Sequence, residues 1–513
     1  MKRSFFFLLG ISLLPFSASA QPGAPVEPPA PEAPTAPAPV RRDAEVAEAP
    51  KADEAAQVLA PVSGGLTPET LSQKTVANSS SVRARLAEID AARARVDETT
   101  AQFFPRLTAK ASYTRLSKTE GGLGGALVGA ANPGPLGVGP CPGNPAAQCV
   151  LDSGGVPVGA ASFSFPSLQD VYSLNATLTV PISDYVLRLS NASGGASANR
   201  RSAELAAKAE KLKVGSDAQA LYYDWLRAKA RVAIAEKSLE RTRARVKDAK
   251  PAFELGVITK ADLMRLEALA VNTEQVVLEA KTFRDLAERQ MAILMGDKKT
   301  RHYEVGEDIR APLARTPGDL DGLTQAALGK RLELRALGEA SRAARLAAKA
   351  VRVGSYPRLD AFGDVTYANP NQRYFPQQDR WRTTWSVGIA ATWNVTDVFV
   401  TGAQSSQLDA SARSVEAQRN ALSDGIRQEV ALHYLSREKA EGALKSTRRG
   451  VAASEEAYRV AVDLYRVGKA TTTEVIDAET ELLSARLAEV NARIELRIAE
   501  IRLRHAVGND VPQ

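Results

Sequence analysis

Two periods divide this chain. Val171 to Ile182 alternates strictly: Tyr172, Leu174, Ala176, Leu178, Val180 and Ile182 fall on one face, and Ser173, Asn175, Thr177 and Thr179 on the other. Trp385 to Val395 does the same, with Trp385, Val387, Ile389, Ala391, Trp393 and Val395 against Ser386, Gly388, Ala390, Thr392 and Asn394. Weaker alternation predicts strands over 107–117 and 359–367. Elsewhere an Ala-, Arg- and Glu-rich pattern of helical period predominates. It predicts a helix over 66–104, with Val82, Leu86, Ile89 and Val96 as its apolar stripe, ended by Pro105. A longer one over 198–253 would run roughly 80 Å. Further helices are predicted to about Met295, from about Leu323, over 403–464 and over 472–507. Between these lie a Gly/Pro-rich stretch over 119–166, read as a long surface loop, and a charged, Pro-containing linker over 297–319.

The order of elements occurs twice. Phe253-Glu-Leu-Gly-Val-Ile-Thr-Lys-Ala-Asp262 returns as Tyr465-Arg-Val-Gly-Lys-Ala-Thr-Thr-Thr-Glu474, with Gly256 and Gly468 212 positions apart. Met295-Gly296 and Val507-Gly508 share that offset. Phe104-Pro-Arg-Leu107 and Tyr356-Pro-Arg-Leu359 are 252 apart, so the first copy carries about 40 extra residues between its strands. Residues 66–296 and 320–508 are therefore two repeats, each with a helix, a strand–loop–strand (107–182 and 359–395) and a helical hairpin (198–295 and 403–507). At each doubled motif a glycine supplies the left-handed cap that ends a helix. Thr259 with Asp262, and Thr471 with Glu474, are spaced as capping boxes that start the next.

Residues 1–20 read as a secretory signal: basic Lys2 and Arg3, an apolar run from Phe5 to Leu14, and Ala18-Ser-Ala20 for cleavage. Residues 21–64, rich in Pro, Ala and Glu, read as a disordered tether. The formal charge of +7 falls to about +5 once Lys2 and Arg3 leave, and its charges are interspersed along helices. That is a solvated surface rather than a nucleic-acid footprint. Cys141 and Cys149, with seven residues between them, suit a local disulfide in an oxidising compartment. Two cysteines and three scattered histidines offer no metal site, and no cofactor motif or nucleophile–base set marks an enzyme.

After the signal no segment has the roughly twenty apolar residues of a membrane helix. Strands with one wholly apolar and one wholly polar face suit a transmembrane barrel. A water-soluble sandwich with one buried face is the competing reading, and the small strand content beside such long helices argues against it. Trp385 and Trp393, roughly 26 Å apart along an extended strand, are candidate anchors at the two lipid interfaces. Four strands cannot close a barrel, so two copies would supply eight strands or three would supply twelve. The polar helices would project into water as a bundle or tube.

Together these features resemble the TolC-type outer-membrane efflux proteins over about residues 66–508. The features are the signal, the paired strand–loop–strand and hairpin repeats, the Phe/Tyr-Pro-Arg-Leu entries and the doubled Gly-x-x-Thr-x-x-acid turn. The resemblance implies a mainly α fold with a small β part. A homotrimer would form a twelve-stranded barrel in the outer membrane, continued by a periplasmic α-helical barrel. It implies an exit duct joined to an inner-membrane pump through a periplasmic adaptor. By the same resemblance Glu474, Asp477, Tyr465 and Asp262 fall at a periplasmic constriction, and Gly256, Thr259, Gly468 and Thr471 in tips that dock the adaptor. The family often closes this gate with an arginine two residues after the second glycine. Ala470 stands there instead, leaving Arg466 and Lys469 as alternatives. The duct of a type I protein secretion system fits the same pattern. A periplasmic or surface coiled-coil scaffold without a pore is the alternative of another class.

Overall fold

The computed structural model describes residues 59–118, 127–161, 168–298, 302–375 and 377–509. The signal and most of the 21–64 segment lie outside the described residues. Short helices α1 (Pro68–Asn78) and α2 (Ser80–Ala101) lead into strand β1 (Arg106–Arg115). Thr67 and Ser79 cap the two helices and so break the single helix expected over 66–104. Strands β2 (Leu127–Gly129), β3 (Gly137–Cys141), β4 (Asn144–Leu151) and β5 (Gly159–Ala161) precede the long β6 (Asp170–Val180). A helical turn and a π-helical turn, Tyr185–Leu189, join β6 to α3 (Ser190–Glu254), which hairpins into α4 (Lys260–Met295). The second half runs α5 (Leu320–Lys330), α6 (Leu332–Arg352), β7 (Arg358–Asn369), β8 (Arg382–Thr392), α7 (Asp397–Arg466) and α8 (Thr472–Val507).

The four long strands form one antiparallel sheet in the order β1-β6-β7-β8. Its polarity is the reverse of a soluble sheet. Trp385, Val387 and Ile389 are 69, 73 and 69 % exposed, while Ser386 and Gly388 between them are half-buried. The other face is held by polar pairs across the strands. Ser112 meets Ser173 at 2.8 Å, Thr366 donates to Asn175 at 2.5 Å, and Ser386 donates to Asp364. At the end of the sheet away from the long helices, Tyr172 packs on Tyr113 and Trp381, with centroids at 5.0 and 6.1 Å. Tyr367 stacks on Trp381 at 4.8 Å.

The tryptophan pair expected as interface anchors, Trp385 and Trp393, is exposed, at 69 and 52 %. Trp385 sits three residues inside β8, opposite Val365, and Trp381 holds the rim. Trp393 lies beyond the strand, which ends at Thr392. Its indole N–H donates to the Ser355 carbonyl at 3.2 Å, and an Asn394–Asp397 turn has already begun α7.

Three further expectations change. The 119–166 stretch is not wholly loop, because β2 pairs with β5 and β3 with β4, and Cys141 is bonded to Cys149 across the second hairpin. Each ladder has only two strands, so every strand is an edge and tolerates Pro140 and Pro145. The Gly/Ser-rich passage before residue 198 is helical. A Cβ on Gly195 would lie 3.4 Å from the Ala343 carbonyl, so its absence lets α3 and α6 approach closely. Neither the end of the tether nor the linker over 297–319 is a passive spacer. Leu59 is buried, Val62 N–H donates to Val305 C=O, and Leu66 bridges in parallel with Val305.

The long helices lie side by side in the order α4-α3-α8-α7, with α6 beside α3 and α7 nearer the sheet. Tyr222, Trp225, Leu226, Met291 and Ile494 form the main core. Residues 302–319 cross it as a strap. Val305 and Ile309 enter the core, and Arg497 holds Glu307 at 2.6 Å and the carbonyls of Asp308 and Ala311. Tyr223 donates to the same Glu307 carboxylate. Burial pushes the Glu307 carboxyl up, while the Tyr223 hydrogen bond and Arg497 oppose the shift. Farther along, Glu500 accepts from Thr316 N–H at 2.6 Å, and Arg437 donates to the Thr316 carbonyl at 3.1 Å. Among the described residues no helix is long and apolar enough to cross a membrane.

Candidate functional site

The two hairpin tips are built alike. Gly256 and Gly468 adopt left-handed φ of 71° and 72°. After each, an N–H reaches back five residues to close the helix: Val257 to Ala252 at 2.8 Å, and Lys469 to Leu464 at 2.8 Å. Thr259 Oγ1 accepts from Asp262 N–H at 3.2 Å, and the Asp262 carboxylate accepts from Thr259 N–H and Oγ1 at 3.2 and 2.7 Å. Thr471 and Glu474 repeat this reciprocal box, with Thr471 N–H donating to Glu474 at 2.6 Å. The Thr259 side chain and backbone donors hold the Asp262 carboxyl below the usual carboxylate range.

The tips meet through a small core in which Ile258 and Ile476 pack on Ala249, Leu263 and Leu266. Arg265 reaches across to Thr473 Oγ1 at 3.2 Å and lies 3.8 Å from Asp262. Of the residues singled out in the sequence, Asp262, Thr259, Glu474 and Thr471 therefore come together at one end. Asp477 is exposed on the same helix as Glu474, and among the described residues no ion pair engages it. Tyr465 is half-buried one turn before Gly468. Arg466 pairs with Asp463 of its own helix at 3.2 Å, whereas Lys469 stands exposed. The tryptophans and the disulfide belong to the opposite end of the chain.

One cluster escaped the sequence reading. Two turns above the second tip, Glu479 is 5 % exposed and lies 2.7 Å from the Arg245 guanidinium. Arg245 also donates to Tyr458 at 2.5 Å and stacks over its ring, so α3, α7 and α8 are tied at one point. Burial pushes the Glu479 carboxyl up, against the opposing pull of Arg245 and Arg241. Arg245 and Tyr458 are 213 positions apart, almost the repeat offset. They therefore occupy near-equivalent turns of the two repeats, and that was a legible signal. Among the described residues no group of His, Cys, Asp and Glu side chains is placed to hold a metal ion.

Comparison with known proteins adds a family. The model of the outer membrane efflux protein family matches residues 71–297 and 323–509. A curated relative, the outer membrane efflux protein BepC of Brucella suis, is 25 % identical over 125 residues, which is 24 % of this chain and 27 % of BepC. This chain thus matches about a quarter of that relative's length. Among solved structures, the open state of the Neisseria gonorrhoeae MtrE outer membrane channel superposes with a TM-score of 0.66 at 16 % identity, covering 93 % of this chain and 97 % of that one. The outer membrane protein VceC of Vibrio cholerae gives 0.65 at 18 % identity, covering 86 % and 96 %. At these identities the likeness speaks for the fold, and the family match spans both halves of the molecule. The chain is a member of the outer membrane efflux protein family, seated in the outer membrane and extending into the periplasm.

Proposed function

We propose that three copies of this chain form the passive exit duct of a tripartite efflux system, through which an inner-membrane pump expels small molecules by way of a periplasmic adaptor. The observation that carries this reading is the inverted sheet. Its apolar face is outward, its polar face is paired, and both β1 and β8 are edge strands. In lipid each unpaired backbone group costs several kcal/mol, so those edges need partners of the same kind. An eight-stranded closure by two copies would be filled by its own side chains, whereas twelve strands leave a passage. Three is therefore the number that suits a duct.

At the other end the hairpin tips supply the entrance. Glu474 and Asp477, tripled, would put six carboxylates around one axis, favouring cations and resisting anions. Tyr465 and Asp262 flank that constriction. With Ala470 small and Arg466 engaged by Asp463, Lys469 is the exposed cation of the second turn, without an ion pair among the described residues and placed to reach a neighbouring copy. The turns at Gly256, Thr259, Gly468 and Thr471 leave Leu255 80 % and Val467 63 % exposed, an apolar rim suited to the adaptor. Light scattering of the detergent-purified protein should give a trimer, and a stable monomer would defeat the reading. Glu474→Gln with Asp477→Asn should raise single-channel conductance or weaken block by multivalent cations. No change in either would return those residues to capping alone.

A further inference from the structure

The two faces of α8 differ. Arg497 and Glu500 reach the strap, which with α1 and α5 adds an extra layer on that side. Glu495 lies roughly 160° around the helix from Arg497 and opens onto a groove instead. A tube carrying the extra layer inside would be blocked, so in the duct proposed above this groove faces the lumen. Its volume is about 480 Å³, with Arg227 and Arg231 of α3 on one wall, Ser436 and Lys439 of α7 on the other, and Asn491 and Glu495 beneath. Ala440, Ala443 and Ala492 keep the floor smooth and apolar.

The charges in it are unevenly matched. Arg227 takes Glu495 at 2.7 Å and Asp224 at 3.5 Å, which occupies both nearby carboxylates. Arg231 and Lys439 are exposed, and neither has an ion-pair partner among the described residues. Two free cations, a hydroxyl and an amide therefore stand over an apolar floor. We propose that this groove is a binding subsite for organic anions, molecules with sulfonate or carboxylate groups on a flat hydrophobic frame, repeated once per protomer around the lumen. The cations pair with the acidic groups, Ser436 and Asn491 hydrogen-bond them, and the alanine floor receives the frame. The groove thus sits as a basic zone between the acidic tips and the sheet.

The inference rests on the duct reading for its lumenal placement but is tested by separate measurements. The probe is pyranine, a trisulfonated pyrene, titrated by fluorescence anisotropy against the purified full-length protein. Saturable, salt-sensitive binding is expected, weakened about ten-fold or more in R231Q/K439Q. E495Q, which removes the groove's own carboxylate and leaves Arg227 only its longer pair with Asp224, should tighten it. Absence of saturable binding, or equal binding by R231Q/K439Q, overturns the subsite. In planar bilayers pyranine should reduce the current of the wild-type channel more than that of R231Q/K439Q, and equal reduction again overturns it. A protein that forms no channel in bilayers overturns the duct reading, while the anisotropy result still decides the groove.

Discussion

Arg437→Met should loosen the strap over 302–319 without unfolding the helices beneath it. Arg437 is 2 % exposed and Glu500 4 %, their charges 4.0 Å apart, with Arg437 also on the Thr316 carbonyl and over the Tyr434 ring. Removing one member of such a buried pair costs about 3–5 kcal/mol, chiefly because the remaining charge is stranded. Glu500 keeps the Thr316 N–H and hydroxyl, so the lower figure applies here. About 3 kcal/mol corresponds to roughly a hundred-fold in the opening equilibrium. Hydrogen–deuterium exchange read on peptides covering 311–319 should therefore quicken by about that factor, while peptides from the middle of α3 keep their protection. Arg437→Met with Glu500→Met removes both charges and should recover most of the loss. Exchange within about three-fold of wild type in the single variant would refute the stranded-charge reasoning. A double variant as labile as the single one would assign the loss to packing.

Two more outcomes follow from the geometry. A Cβ at Gly388 would lie 2.8 Å from the tip of the Phe362 ring across β7 and β8, so Gly388→Ala must displace the ring at about 1–3 kcal/mol. It should lower the temperature at which the purified oligomer dissociates, Phe362→Leu should restore it, and an unchanged temperature would show the ring free to swing. Burial raises the Glu479 carboxyl above its ordinary 4.5, so the folded chain holds that proton more tightly than the unfolded one. The resulting stability is full below that ordinary value and declines as pH rises through the raised one. Glu479→Gln should remove this slope from the thermal midpoint measured between about pH 4.5 and 7, and a slope identical to wild type would count against it.

What could be read in advance was whatever repeats at short period. Strict alternation marked β6 and β8, weaker alternation marked β1 and β7, and the doubled glycines marked the two turns. The first long helix begins at Ser190, eight residues before its periodic pattern. Alternation also overran β8, continuing to Val395 after the strand ends at Thr392, where Trp393 donates to Ser355 and Asp397 N–H to Asn394. The strap was illegible because it has no period. Its burial depends on isolated residues, Val305, Ile309, Glu307 and Thr316, whose partners Tyr223, Arg437, Arg497 and Glu500 lie far off in sequence. Glu479 likewise looks like one more surface charge of a polar helix until α3 and α7 are packed beside it. The β3–β4 ladder was hidden by prolines that only an edge strand accepts.

The doubled turn shows most clearly how far local chemistry carries. Two glycines at φ of 71° and 72° and two reciprocal Thr–acid boxes give the same backbone twice, so capping cannot distinguish the tips. What distinguishes them is the next turn. After Asp262 comes Arg265, which neutralises its own tip and crosses to Thr473. After Glu474 comes Asp477, exposed and without an ion pair among the described residues, followed by Glu479 turned inward to Arg245. The first hairpin thus spends its charge holding the second, and the second keeps a carboxylate in reserve for whatever surrounds it. If the tips close by meeting other copies, the contact that changes on opening is the one between Asp477 or Lys469 and a neighbour. Arg265–Thr473 and Arg245–Glu479, both within one chain, move with it as parts of a rigid wall.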